Sequence, residues 1–107
     1  MLLYEVNDEI QSHMHHNQVI VYDYKIGKQG QLVLDLLDKQ TNKLLKVQAF
    51  NYKVSEELFE MKGHPVKALT LRGTQKIFKN YFFTLAGLVV ENVQNTEQRI
   101  VIQGGVA

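Results

Sequence analysis

Lysine, arginine and aromatic side chains are interleaved through the middle of this chain. Cations neutralise phosphates, and flat rings stack on unpaired bases, each stack contributing about 1–3 kcal/mol. These residue types, at this spacing, are typical of a surface that holds one nucleic-acid strand. The candidate contact residues are Tyr24, Lys25, Lys28, Lys46, Phe50, Tyr52, Lys53, Arg72, Lys76, Phe78, Lys79 and Tyr81.

An aromatic ring can pack in the core instead of contacting nucleic acid, and the sequence favours a different role for different rings. Alternation predicts that Tyr22 and Tyr24 share a face with Ile20 and Ile26, which favours the core for both tyrosines. Phe50 is evenly balanced between the two roles. Core positions are predicted for Phe59, Phe82 and Phe83, and contact for Tyr52, Phe78 and Tyr81, which lysine or asparagine flanks in turn-like settings.

The net charge of +1 hides a segregation along the sequence. Residues 1–22 carry three acids and no lysine or arginine, whereas residues 23–82 carry eleven basic against six acidic side chains. A basic segment attracts polyanions through counterion release. Lysines also keep small domains soluble, so charge alone leaves both interpretations equally open.

Five apolar, largely alternating stretches position these side chains. They predict strands at 19–26, 32–37, 44–50, 66–72 and 81–90, and a further strand at 99–103. A short helix is predicted at 55–62. Ser55 is its N-cap, Val54 and Phe59 have hydrophobic-staple spacing, and Gly63 ends it.

One helix between the third and fourth of five strands is the element order of the OB-fold. The predicted fold is therefore all-β with one short helix, a five-stranded OB-fold barrel within a single domain of 107 residues. The barrel spans about 18–93. The segment 1–17 and the strand 99–103 are predicted as edge or oligomer elements, because unpaired edges seek partners.

Several kinds of chemistry have no support in the sequence. The absence of cysteine excludes disulfides, cysteine-bound zinc and thiol catalysis. The chain has no phosphate-binding glycine motif, and its clustered acids Glu56, Glu57 and Glu60 fan outward on the predicted helix. The histidines His13, His15 and His16 have no converging partner ligands. We therefore predict a protein that is not an enzyme and has no metal, cofactor or small-molecule substrate.

No apolar run approaches the ~20 residues of a membrane-spanning helix. The first residues lack the basic and apolar regions of a signal peptide. These observations predict a cytoplasmic protein that does not bind membranes.

Parts of the sequence resemble bacterial single-stranded DNA-binding proteins of the SSB type. The resemblance covers about three-quarters of the chain and rests on pattern more than on rare residues. Its segments are Asn17-Gln18-Val19-Ile20-Val21, Val47-Gln48-Ala49-Phe50-Asn51-Tyr52-Lys53, Lys62-Gly63, Leu71-Arg72-Gly73 and Val89-Val90-Glu91-Asn92-Val93.

The resemblance implies an oligomeric OB-fold protein that binds single-stranded DNA without sequence preference. It implies that Phe50 stacks on a base at the end of the third strand. Two features depart from the family, since Leu44 stands where a stacking tryptophan is frequent and the acidic C-terminal tail is missing.

The predicted function is sequence-independent binding of single-stranded DNA in replication, repair or recombination, by a homo-oligomer (dimer or tetramer). The alternatives are an OB-fold module that binds RNA or a protein, and a structural adaptor that binds no nucleic acid.

Overall fold

The computed structural model describes residues 18–54, 59–77 and 80–105. Within these ranges the chain forms seven strands and no helix. The strands are β1 (Val19–Ile26), β2 (Leu32–Asp38), β3 (Lys43–Ala49), β4 (Lys53–Val54), β5 (Val66–Ile77), β6 (Asn80–Glu91) and β7 (Arg99–Gln103). The described residues accordingly include no helix that could cross a membrane.

The strands form one strongly curled, open sheet with the shape of a half-barrel. Its order is β1-β2-β3-β6-β7-β4, and β5 pairs with the other edge of β6. Only the β3–β6 pairing is parallel. An isolated bridge between Ile20 and Pro65 ties β1 to the residue before β5. A barrel-like, all-β fold is thus confirmed in outline.

Alternation along β2 separates the core from the outer surface, as its sequence predicts. Leu32, Leu34 and Leu36 are buried, and the residues between them are half-buried on the other face. The core lies inside the curl of the sheet. Its other members are Val19, Val21, Val47, Ala49, Met61, Val66, Leu69, Leu71, Phe83, Leu85, Leu88, Val90, Ile100 and Ile102.

A bulge in β1 changes which of its residues share a face. The register skips Tyr22, so that Val21 pairs with Leu36 and Asp23 pairs with Asp35. An extra residue reverses every later side chain. Tyr24 therefore packs against the core. The predicted core position is confirmed for Tyr24 and wrong for Tyr22, which is 56% exposed, because simple alternation contains no bulge.

The helix predicted at 55–62 is not seen. Residues 55–58 lie outside the described ranges, and residues 59–62 are not helical. Val54 pairs with Ile102 in the sheet instead of forming the staple. A helix of two turns has little stability of its own, so strand pairing and burial decide the local structure. Met61 is 2% exposed and fills the core without a helix.

The pairing of β5 with β6 is longer than predicted. The expected end of β5 at Arg72 is wrong, since β5 continues to Ile77, whereas β6 begins at Asn80, one residue from its predicted start. β6 has a bulge next to Gly87, because Thr70 pairs with Gly87 while Leu71 pairs with Leu85. This bulge marks the point where β3 leaves the edge of β6 and β7 takes its place.

The C-terminal strand belongs to the core of its own chain. β7 pairs with β6 on one side and with β4 on the other, and Ile100 and Ile102 are fully buried. β4 covers only the last two residues of β7, so the prediction that 99–103 is an edge or oligomer element stays a prediction. The segment 1–17, the other part of that prediction, lies outside the described ranges.

Candidate nucleic-acid interface

An open pocket of about 410 Å³ lies between the β1–β2 turn and the segment that follows β3. It brings together two predicted contact residues, Phe50 and Tyr52, both of them half-buried. Lys28 precedes one wall in sequence, Lys53 follows the other, and both lysines are exposed. Two rings and two cations are thus placed at one end of β2 and β3. The lining residues are Gln29, Gly30, Gln31, Phe50, Asn51 and Tyr52.

The β1–β2 turn forms the first wall, and its sequence explains its shape. Gly27 N donates to Gln31 O at 2.8 Å, and Gly30 N donates to Gly27 O at 3.0 Å. Gly30 has a φ of 78°, a left-handed conformation that favours glycine. These bonds close a tight turn and fix the chain that leads into β2.

The segment after β3 forms the second wall and is held by the C-terminal residues. Asn51 has a φ of 49°, and this left-handed residue turns the chain out of β3. Gly105 N donates to Phe50 O at 2.6 Å. Tyr52 packs against the core, and β4 then joins β7. The backbone on both sides of the two rings is therefore fixed.

The Gly104–Gly105 pair is a part of the site that sequence reasoning missed. A Cβ on Gly104 would lie 1.8 Å from Leu85 O, and a Cβ on Gly105 would lie 2.9 Å from Asn51 Cβ. Only glycine allows this close approach of two backbones. The Gly-Gly pair after an apolar strand is the signal that points to it.

The outer face of β1, β2 and β3 continues from the pocket along the strands. Strand register groups its side chains in three rows across the sheet. The first row is polar at both ends, the second is charged and the third is apolar. These rows are Lys25–Val33–Gln48, Asp23–Asp35–Lys46 and Ile20–Leu37–Leu44.

The charged row is largely neutralised by its own ion pairs. Lys46 Nζ lies 3.2 Å from Asp35 Oδ1, and Lys62 Nζ lies 3.2 Å from Asp23 Oδ1. The Tyr24 backbone N–H, which donates to Asp23 Oδ1 at 2.8 Å, and then Lys62 lower the pKa of the Asp23 carboxyl. The predicted role of Lys46 as a phosphate contact therefore competes with its ion pair to Asp35.

Four predicted cations, all exposed, have no ion pair among the described residues: Lys25, Lys28, Lys53 and Arg72. Of these, Lys25 lies close enough to Asp23 to lower the pKa of that carboxyl. Of the predicted contact cations whose side chains the structure describes, Lys28 and Lys53 thus remain available to phosphates near the pocket, and Arg72 remains available on β5.

The β5–β6 hairpin lies at the other end of β3. Val47 pairs with Phe83 in parallel register, which places the start of β6 level with Leu44. Six residues of strand separate Leu44 from Phe50, or roughly 20 Å. Arg72 lies at a bulge in β5, and the backbones of Lys76 and Tyr81 pair with each other. Phe78 and Lys79 lie outside the described residues. The predicted contact residues therefore form two groups.

Metal binding finds no support in the described part of the chain, which contains no group of three histidine or acidic side chains suited to an ion. The histidines at positions 13, 15 and 16 lie outside it. His64 has a structural role, because its Nδ1 accepts from Val93 N at 3.2 Å and its ring meets Phe59 edge-on at 5.1 Å.

Comparisons of the chain with protein-family models, curated proteins and solved structures gave no match.

Proposed function

We propose that this protein binds single-stranded nucleic acid, with a preference for DNA, through charge and stacking and without catalysis. The observation that carries the proposal is the pocket, which Phe50 and Tyr52 line. Lys28 and Lys53 are next to its walls in sequence, are exposed, and have no ion pair among the described residues. Rings bind the bases of any sequence and cations bind the phosphates, so the arrangement suits a strand whose bases are unpaired.

The order of strand pairing supports an OB-fold for this purpose. β1 pairs with β2, β2 with β3, β3 runs parallel to β6, and β6 pairs with β5. Backbone bonds from Gly63 N to Val21 O (2.7 Å) and from Val21 N to His64 O (3.1 Å) bring the start of β5 to β1. This is the pairing expected of a five-stranded OB barrel, whose second and third strands form the binding face.

We extend the proposal to an SSB-like role in replication, repair or recombination. Phe50 stands where the SSB resemblance expects a stacking ring, and it lines the pocket. We also propose a homo-oligomer, based on the free edge that β5 presents in the described residues. Within the described residues, β5 pairs along one side with β6 and approaches β1 only near its start. A long unpaired edge favours association with a second chain.

The experiment compares the affinities of three labelled ligands by fluorescence anisotropy. These are a single DNA strand of about 30 nucleotides, the matched RNA and the matched duplex. We expect the DNA strand to bind most tightly. Phe50→Ala should weaken its binding about tenfold, because one stack is lost. Tyr22→Ala is the control, since this ring is 56% exposed at the β1 bulge, away from the pocket. Equal effects of the two variants would contradict the proposed contact surface.

A protein-binding module is the second candidate, and the apolar row of the outer face favours it. Leu44 is 51% exposed, and it extends the half-buried Ile20 and Leu37. A partner with a small apolar patch would fit this row. Leu44→Lys should leave DNA binding unchanged or improve it under our proposal. Failure to bind any of the three nucleic acids would favour this second candidate.

A further inference from the structure

The pocket contains hydrogen-bonding groups that binding by charge and stacking does not require. All six lining residues are uncharged, and three of them carry side-chain amides: Gln29, Gln31 and Asn51. A phosphate needs a cation or several aligned N–H groups, and neutral amides beside rings suit it poorly. Amides beside aromatic rings instead match a planar neutral group that has donors and acceptors on its edge. A nucleobase is such a group.

Gln31 is the best placed of these amides. Its Oε1 accepts from Gln29 N at 3.0 Å, and its Nε2 donates to Gln48 Oε1 at 3.4 Å. A side-chain amide has two acceptor sites on its oxygen and two N–H donors. Within the described part of the chain, one acceptor site and one donor of Gln31 therefore stay available. Because both the oxygen and the nitrogen of this amide are hydrogen-bonded, the side chain loses less conformational entropy when a ligand binds.

We propose that this pocket reads the edge of one base and prefers adenine, an inference that rests on the proposed binding of single-stranded nucleic acid. An amide of glutamine or asparagine offers a neighbouring donor and acceptor, which pair with N7 and N6 of adenine. Gln31 supplies this pair, and Phe50 and Tyr52 supply the ring surface. Binding along the rest of the strand stays tolerant of sequence, and one position carries the preference.

Mononucleotides test the inference separately from binding to long strands. The 5′-monophosphates of adenosine, guanosine, cytidine and uridine are titrated into the labelled protein, and the resonances of the Gln31 and Asn51 amides are followed by NMR. We expect the adenosine nucleotide to shift both amides and to bind about tenfold more tightly than the uridine nucleotide. This ratio lies within the range expected of one bidentate pair between an amide and a base.

Two variants of Gln31 separate base reading from support of the turn. Gln31→Glu keeps the oxygen that accepts from Gln29 N but loses the NH₂ group, so the adenine preference should vanish while the fold persists. Gln31→Ala should lose the preference as well. Gln94→Ala is the matched control, because this exposed glutamine lies in the loop between β6 and β7, at the far end of β7 from the pocket.

Each outcome decides the inference. Equal affinity for the four nucleotides would overturn base reading, and so would a preference that persists in Gln31→Glu. Failure of all four to shift the pocket resonances would also overturn it. The proposed function is judged independently, by the affinity for the strand of about 30 nucleotides. Tight binding of that strand with no mononucleotide preference would leave the proposed function standing without the base-reading pocket.

Discussion

Replacing Gly104 by alanine tests how the C-terminal residues support the pocket. A Cβ at this position would lie 1.8 Å from Leu85 O, whereas such contacts begin near 3.0 Å. The end of β7 must therefore move away from β6 by about 1.2 Å or more. This movement disrupts two backbone hydrogen bonds, from Gly104 N to Ala86 O (3.0 Å) and from Gly105 N to Phe50 O (2.6 Å).

The expected loss of stability follows from these contacts. Two backbone hydrogen bonds contribute about 0.5–1.5 kcal/mol each, and the forced displacement costs about 1–3 kcal/mol. Alanine recovers up to about 1 kcal/mol, because it restricts the unfolded chain. We expect Gly104→Ala to lower the free energy of unfolding by about 1–6 kcal/mol, centred near 3 kcal/mol. Because the Phe50 carbonyl loses its donor, affinity for a single strand should fall even where the protein remains folded.

Urea denaturation followed by circular dichroism measures the change, and Gly73→Ala is the matched control. Gly73 also lies in a strand, but its Cβ would meet no atom within 4 Å. The control should be as stable as the parent protein or slightly more stable. Equal stability of Gly104→Ala and Gly73→Ala would refute the argument that β7 is clamped against Leu85.

Further predictions concern the charges and the acid stability of the protein. The double variant Lys28→Ala/Lys53→Ala should reduce the slope of log affinity against log salt by about 1.4, because two phosphate contacts are lost from a single strand. Lys46→Ala should leave that slope unchanged in the same salt titration, since Lys46 is paired with Asp35. Asp23→Asn should lower the urea midpoint at neutral pH, because it removes the partner of Lys62. The pKa of Asp23 is lowered from 3.8, so the stability that its carboxylate adds is present above that value and is lost as pH falls through the lowered pKa. The difference between the parent and Asp23→Asn should therefore shrink as pH falls below 3.8 and close once pH lies below the lowered pKa. A difference that does not shrink over this range would contradict the assigned ion pair.

The sequence predicts the strands of this protein well where alternation decides them. Exposing the leucines of β2 or the apolar residues of β6 to water is unfavourable, so the alternating pattern alone predicts that they are buried. Features that depend on contacts distant in sequence were not predictable in this way. The bulge at Tyr22 exchanges two faces of β1, and the pairing of Val54 with Ile102 takes the residue that the predicted helix needs.

The candidate site was predictable in part, for a similar reason. Phe50 and Tyr52 share a segment with Lys53, so their proximity follows from the chain itself. The neutralisation of Lys46 by Asp35 depends on strand register, and the role of Gly105 depends on the path of β7. Composition alone therefore overstated how basic the middle of the outer face is.

A salt titration of the parent protein with a single DNA strand of about 30 nucleotides tests the central proposal most directly. Three to six phosphate contacts predict a slope of log affinity against log salt of about −2 to −4. Binding that is measurable at low salt and falls with such a slope is the result we predict. No measurable binding at low salt, or an affinity that does not change with salt, would contradict the proposal.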